Sequence, residues 1–236
     1  MGRTRRKTVR RQRAKPGQDE RFAATYAALW DPNPCAFLGV VSSFVGFDES
    51  SGLELPPMHL KLVDMASDPS DLDNALLVGL SHLAPHADDR VHAGSLALAM
   101  SRDHRTRLPS WLAELHNATA TAAARLISEG CDRQLWLLEV RVAGRPLTAM
   151  LAVDDELGLP GEVAGTVSDT VERLTSIARH PSAGEAMAVD VPPAEAGDRI
   201  LGALARADDL AVAPRVPYWP EPRALLRWLA EVGTRT

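Results

Sequence analysis

The sequence predicts an α+β fold in which one or more mixed sheets are organised around a central β-hairpin at residues 134–153. Three observations carry that prediction. Residues 134–142 (QLWLLEVRV) set Trp136, Leu138, Val140 and Val142 on one face of an extended chain and Leu135, Leu137, Glu139 and Arg141 on the other. Ala143-Gly144-Arg145-Pro146 has turn chemistry, because glycine accepts positive φ and the residue before a proline is pushed out of the helical region, and 147–153 then return as the partner strand. On both sides of this hairpin, stretches with helical apolar spacing alternate with short β-branched runs.

In chain order, residues 1–18 hold almost no apolar side chains, cannot offset the entropy of ordering and read as a disordered basic arm. A helix follows at 20–30, with Phe22, Tyr26, Leu29 and Trp30 as its expected buried stripe and Asp31-Pro32-Asn33-Pro34 as its stop. The Val- and Phe-rich stretch 37–47 reads as a strand, 49–57 as a turn region and 59–63 as a second strand. Asp68-Pro69-Ser70-Asp71 opens a helix, since Asp68 can cap and Asp71 and Asp73 suit the positive end of the dipole. Its stripe is Leu72, Leu76, Leu80 and Leu83, and Pro85 ends it. Residues 95–100 read as a short strand, and Pro109-Ser110 opens a long helix through Trp111, Leu115, Ala118, Ala122 and Leu126 to Gly130. After the hairpin come a helix over 167–177, a strand over 185–191, a helix after Pro192-Pro193 and a C-terminal helix at 221–232, the last two separated by the proline-rich 214–222.

Residues 19–236 thus form a single globular α+β domain. Within it, 36–129 and 133–208 both read strand, strand, helix, strand, helix, and both second strands close on Val-Asp (Val63-Asp64, Val153-Asp154). Two similar halves from a duplication are one explanation, and chance matches in an alanine-rich chain are the other.

The net charge of −5 hides a segregation: Arg3, Arg5, Arg6, Lys7, Arg10, Arg11, Arg13 and Lys15 lie in the first fifteen residues with no acid among them. The remaining 18 basic and 31 acidic residues leave the body at −13. Eight clustered cations can neutralise phosphates on nucleic acid without reading sequence, or dock on an acidic protein surface; a solubilising tail is the structural alternative. Two widely spaced cysteines fit a reducing, cytoplasmic setting, and the chain shows neither an export signal nor an apolar run long enough for a membrane span.

Two groups of side chains offer enzyme chemistry. His82, His86, Asp89 and His92 fall within eleven residues and have the right donors for a divalent metal, although Pro85 separates the first two and a solvated loop explains them as well. Asp64, Asp154, Asp155 and Asp190 follow apolar runs, where ligands gather in open sheets, but aspartate is also a common turn residue. The Glu139/Arg141 pair reads as solvent-facing or as an edge defence. A phosphate-binding loop is absent, Gly79-Leu80-Ser81-His82-Leu83 is only half a nucleophile elbow, and the glycines at 158–165 lack dinucleotide spacing. The resulting expectation is a cytoplasmic binding or accessory protein that needs no cofactor and whose arm meets nucleic acid or an acidic partner. The alternative is a metal-dependent hydrolase at the histidine loop; whether the chain is an enzyme and how it assembles are left open.

Overall fold

The computed structural model describes residues 16–50, 58–67, 70–103, 107–128, 131–180, 186–209 and 222–235. The cationic residues 1–15, the expected cap Asp68 with Pro69 after it, and most of the proline-rich 214–222 lie outside them. Among the described residues the chain is α+β, with a helical N-terminal part followed by a five-stranded sheet and its covering helices.

Five helices come first: α1 (Pro16–Trp30), α2 (Pro34–Ser50), α3 (Met58–Ser67), α4 (Asp71–Leu83) and α5 (Ala87–Asp103). Three expected strands are therefore helical. In 37–47 the residues Phe37, Leu38, Val41, Ser42 and Val45 are all buried, a spacing of one helix face, so packing around α2 overrides the β-propensity of its valines and phenylalanines. Likewise 59–63 lies in α3, and 95–100 lies in α5, which buries Ala93, Ala97 and Met100 at i, i+4 and i+7. The helix foreseen after Asp68 starts at Asp71 instead, where the Ser70 hydroxyl accepts the Asp73 N–H. Residues 16–18, assigned to the arm from sequence, belong to the first turn of α1.

The long helix expected from 109 is also replaced. Only α6 (Ser110–Ala113) and a 3-10 turn, Leu115–Asn117, form before the chain extends into β1 (Thr119–Ser128). Its alanines favour helix in isolation, but β1 is held on both sides by neighbouring strands. The hairpin stands where expected, as β2 (Arg133–Val142) and β3 (Arg145–Asp154), antiparallel from Arg133↔Asp154 to Val142↔Arg145. Its loop is only Ala143 and Gly144, both at positive φ (49° and 75°), the requirement of a two-residue hairpin turn. Then come β4 (Pro160–Val167), α7 (Val171–Ala178), β5 (Ala186–Asp190), α8 (Pro193–Asp209) and α9 (Arg223–Thr234). The strand order is β4-β3-β2-β1-β5 with every pairing antiparallel, so the sheet is not mixed. Short connections join β1 through β4 as successive hairpins, and such links permit only antiparallel neighbours. The two halves have different element orders, which removes the duplication: among the described residues, 36–129 is helical up to β1, whereas 133–208 contains four strands.

One face of the sheet, with Trp136, Leu138, Val140, Leu147, Ala149 and Leu151, packs against α2, α8 and α9 in a continuous core that reaches from Leu29 to Val232. Among the described residues the other face is covered by α7, through Ala124, Leu137 and Val171. Cys35 and Cys131 are both free thiols. Among the described residues no helix is long and apolar enough to cross a membrane.

Candidate functional site

The helix that continues directly from the cationic segment presents its aromatic side chains outward. Phe22, Tyr26 and Trp30 are 57%, 41% and 43% exposed, whereas Leu29 is fully buried, so α1 packs on the body along its Leu29 side and not through the expected aromatic stripe. The three rings form a ladder at i, i+4 and i+8. Phe22 and Tyr26 stack with centroids 6.5 Å apart, and Tyr26 and Trp30 are tilted at 6.3 Å. The spacing was legible in the sequence; the face was not, because an aromatic stripe has the same period whether it meets a core or a partner.

The histidine cluster is dispersed. His82 sits in the last turn of α4, edge-on to Trp228 with ring centroids 6.2 Å apart. Burial, and then the charges of His116, Arg235 and Arg90, lower its pKa to about 4. His86 is exposed in the turn between α4 and α5, while Asp89 and His92 lie in the early turns of α5. Among the described residues no three His, Cys, Asp or Glu side chains gather to hold a metal ion, so the structure does not bring His82, His86, Asp89 and His92 together.

Asp154 and Asp190 do end strands, but among the described residues the strand-end carboxylates do not gather either. Asp64 lies in α3, not at a strand end. Asp154 accepts the N–H groups of Glu156 (3.0 Å) and Leu157 (2.7 Å), which closes the turn after β3, and Asp155 accepts from Gln134 (3.1 Å). Asp190 ends β5 beside a groove of about 410 Å³ between β1 and α7. Residues 158–165, expected between a strand and a helix, run into β4. Gly79 is interior to α4, where α2 crosses so closely that a Cβ would stand 2.8 Å from Val41 Cγ2, which accounts for the glycine without any elbow.

Glu139 does not face solvent or guard an edge. It is 3% exposed and accepts from Thr121 Oγ1 (2.8 Å), Arg141 Nε (3.0 Å) and the Val171 N–H at the start of α7 (3.1 Å). Its carboxylate therefore faces the positive end of α7 and ties that helix to β2. Two of the partners, Thr121 and Val171, come from segments 18 and 32 residues away, which is why the pair's environment could not be read locally.

A further cleft, of about 720 Å³, opens between the core-side face of β1 and β2, the turn after β3 and the first turns of α8. Arg125 and Trp136, directly paired across β1 and β2, form its floor. Glu195 and Asp198 on α8 stand at its rim beside Arg199, whose Nη2 donates to the Asp154 carbonyl at 3.4 Å. The sequence does not reveal this site, because the helical spacing of 109–130 places Arg125 inside a helix; the one signal is a lone arginine in the apolar run of 120–127. No family model matches the chain, and no curated protein or solved structure is similar to it.

Proposed function

We propose that this chain is a cytoplasmic nucleic-acid-binding accessory protein in which residues 1–15 contact phosphates and the exposed face of α1 stacks on unpaired bases. The observation that carries this reading is the continuity of the two features. Eight cations end at Lys15, α1 begins at Pro16, and the aromatic ladder starts at Phe22, about 9 Å along the helix axis. Proteins that hold single strands combine these parts, a cationic track for the backbone and aromatic faces for the bases. The −13 body repels a polyanion, so attraction is confined to the N-terminal segment. The gathered metal site that a hydrolase at His82, His86, Asp89 and His92 would need is missing among the described residues.

Fluorescence anisotropy with labelled single-stranded and duplex oligonucleotides tests this. Three forms are compared: the full chain, a chain lacking residues 1–15, and a triple variant with Phe22, Tyr26 and Trp30 changed to Ala. If all eight cations meet a single strand, the logarithm of affinity falls with the logarithm of salt at a slope of about −6, taking roughly 0.7 per contact. Truncation abolishes binding to both oligonucleotides. The triple variant loses about 1–3 kcal/mol per stacked base on single strands and little on duplex. Equal binding by full and truncated chains, or none by either, refutes the reading and points to an acidic protein partner.

A further inference from the structure

We infer that the cleft between β1, β2 and α8 is a binding site for a zwitterionic ligand, an amino acid or short peptide whose carboxylate meets Arg125 and Trp136 and whose ammonium group meets Glu195 and Asp198. The floor consists of unused donors. Trp136 is only 5% exposed, and among the described residues its Nε1–H has no acceptor; Arg125 Nε is likewise buried and without an acceptor among them. An indole can only donate, so no change of tautomer or protonation satisfies it. More than nine in ten buried polar groups in folded proteins find a partner. Two orphaned donors opposite each other in one β-ladder register, on the floor of one cleft, are therefore poised for an acceptor from outside. The planar guanidinium selects a carboxylate, which it can grip at two oxygens.

The rim carries the opposite chemistry. Glu195 and Asp198 are exposed on the first turns of α8 and form no ion pair with any described residue. Arg125 and Arg199 against Asp155, Glu195 and Asp198 leave the lining one negative charge in excess, which disfavours a phosphate dianion and suits a ligand that carries both charges. The volume, about 720 Å³, lies within the range of small-molecule sites and leaves room beyond the α-carbon for a side chain or a second residue. None of the lining residues belongs to the N-terminal arm or to α1, so the inference does not rest on the nucleic-acid reading.

Isothermal titration calorimetry on the full chain decides the matter. The probes are glycine, leucine, glutamate and arginine as free amino acids, alanyl-leucine as a dipeptide, propionate and butylamine as half-ligands, and inorganic phosphate. At least one zwitterion binds more tightly than both half-ligands, and whether it is a free amino acid or the dipeptide identifies the source. Arg125→Gln weakens that probe at least about tenfold, the loss of one charge-assisted contact. Glu195→Gln weakens the zwitterion and leaves propionate unchanged, a split that mere unfolding does not produce. Trp136→Phe keeps the ring and removes the donor, with a loss of roughly three- to tenfold. Absence of binding by every zwitterion, tighter binding of phosphate, or full affinity in an Arg125→Gln variant with unchanged circular dichroism overturns the inference.

Discussion

Burial holds the imidazole of His82 neutral well below its ordinary range, from 6.5 to about 4, and this gives the fold a dependence on acid. Above pH 6.5 neither state takes up the proton. As pH falls from 6.5 toward 4 the unfolded chain binds it and the folded chain does not, so stability declines across that window and the loss levels off below it. The loss is at most about 3 kcal/mol, and less in practice because the ring is partly reached by solvent. Urea unfolding of His82→Leu is expected to show a flatter stability profile between those two pH values than the natural chain does. Glu139 is the other residue whose surroundings decide its role. Glu139→Ala strips acceptors from Thr121, Arg141 and the Val171 N–H at once and should cost about 3–5 kcal/mol, whereas Glu139→Gln, which keeps one acceptor oxygen, should cost about half that. Equal losses for the two substitutions in denaturant titrations would show that the charge, and not the hydrogen bonds, ties α7 to β2.

Helix α9 illustrates an element completed from elsewhere in the chain. Its N-cap, Pro222, has no side chain to accept the orphaned N–H groups of the first turn, and the Leu225 N–H instead donates to Ser42 Oγ on α2 at 3.0 Å. Ser42→Ala should therefore weaken a helix 183 residues away, by about 1–2 kcal/mol in thermal or chemical unfolding, with increased amide exchange in the first turn of α9. The β2–β3 loop is tuned less well. Ala143 sits at φ 49° beside Gly144, and a side chain with a Cβ but no local hydrogen bond is strained there. Ala143→Asn, which produces the favoured Asn-Gly loop, should raise stability by up to about 1 kcal/mol; a lower melting temperature would contradict the turn geometry.

At the scale of the molecule, a single core cluster runs through the N-terminal helices, one face of the sheet and α8 and α9. Trp111 lies in its helical part and Trp136 on the strands, both about 5% exposed. A core shared in this way predicts one cooperative transition: tryptophan fluorescence and far-ultraviolet circular dichroism should yield coincident urea curves. Two separated transitions would mean that the helical part and the sheet unfold independently. The segment 1–15 contributes nothing that composition would allow it to bury, so its removal should leave that transition in place while changing any binding to nucleic acid.

The sequence by itself determined the α+β class, the hairpin of β2 and β3, the helices α4, α8 and α9, the strand β5 and the charge segregation. In each of these structural elements the apolar period, the flanking turn or cap and the final neighbours agree. Helices α1 and α7 are also expected from the sequence, the first without its buried face and the second with a start four residues too early; tertiary structure decided the rest. Residues 37–47 contain the valines and phenylalanines of a strand but bury Phe37, Leu38, Val41 and Val45 on one helix face, and 119–128 contain the alanines of a helix but are clamped between β2 and β5. There the local preference is worth at most about 1 kcal/mol per residue, and burial of a large side chain, at about 1.5–3 kcal/mol, outweighs it. The cleft was invisible for a related reason: Arg125 and Trp136 become neighbours only through a strand register, and α8, which supplies the rim, lies some sixty residues further along the chain.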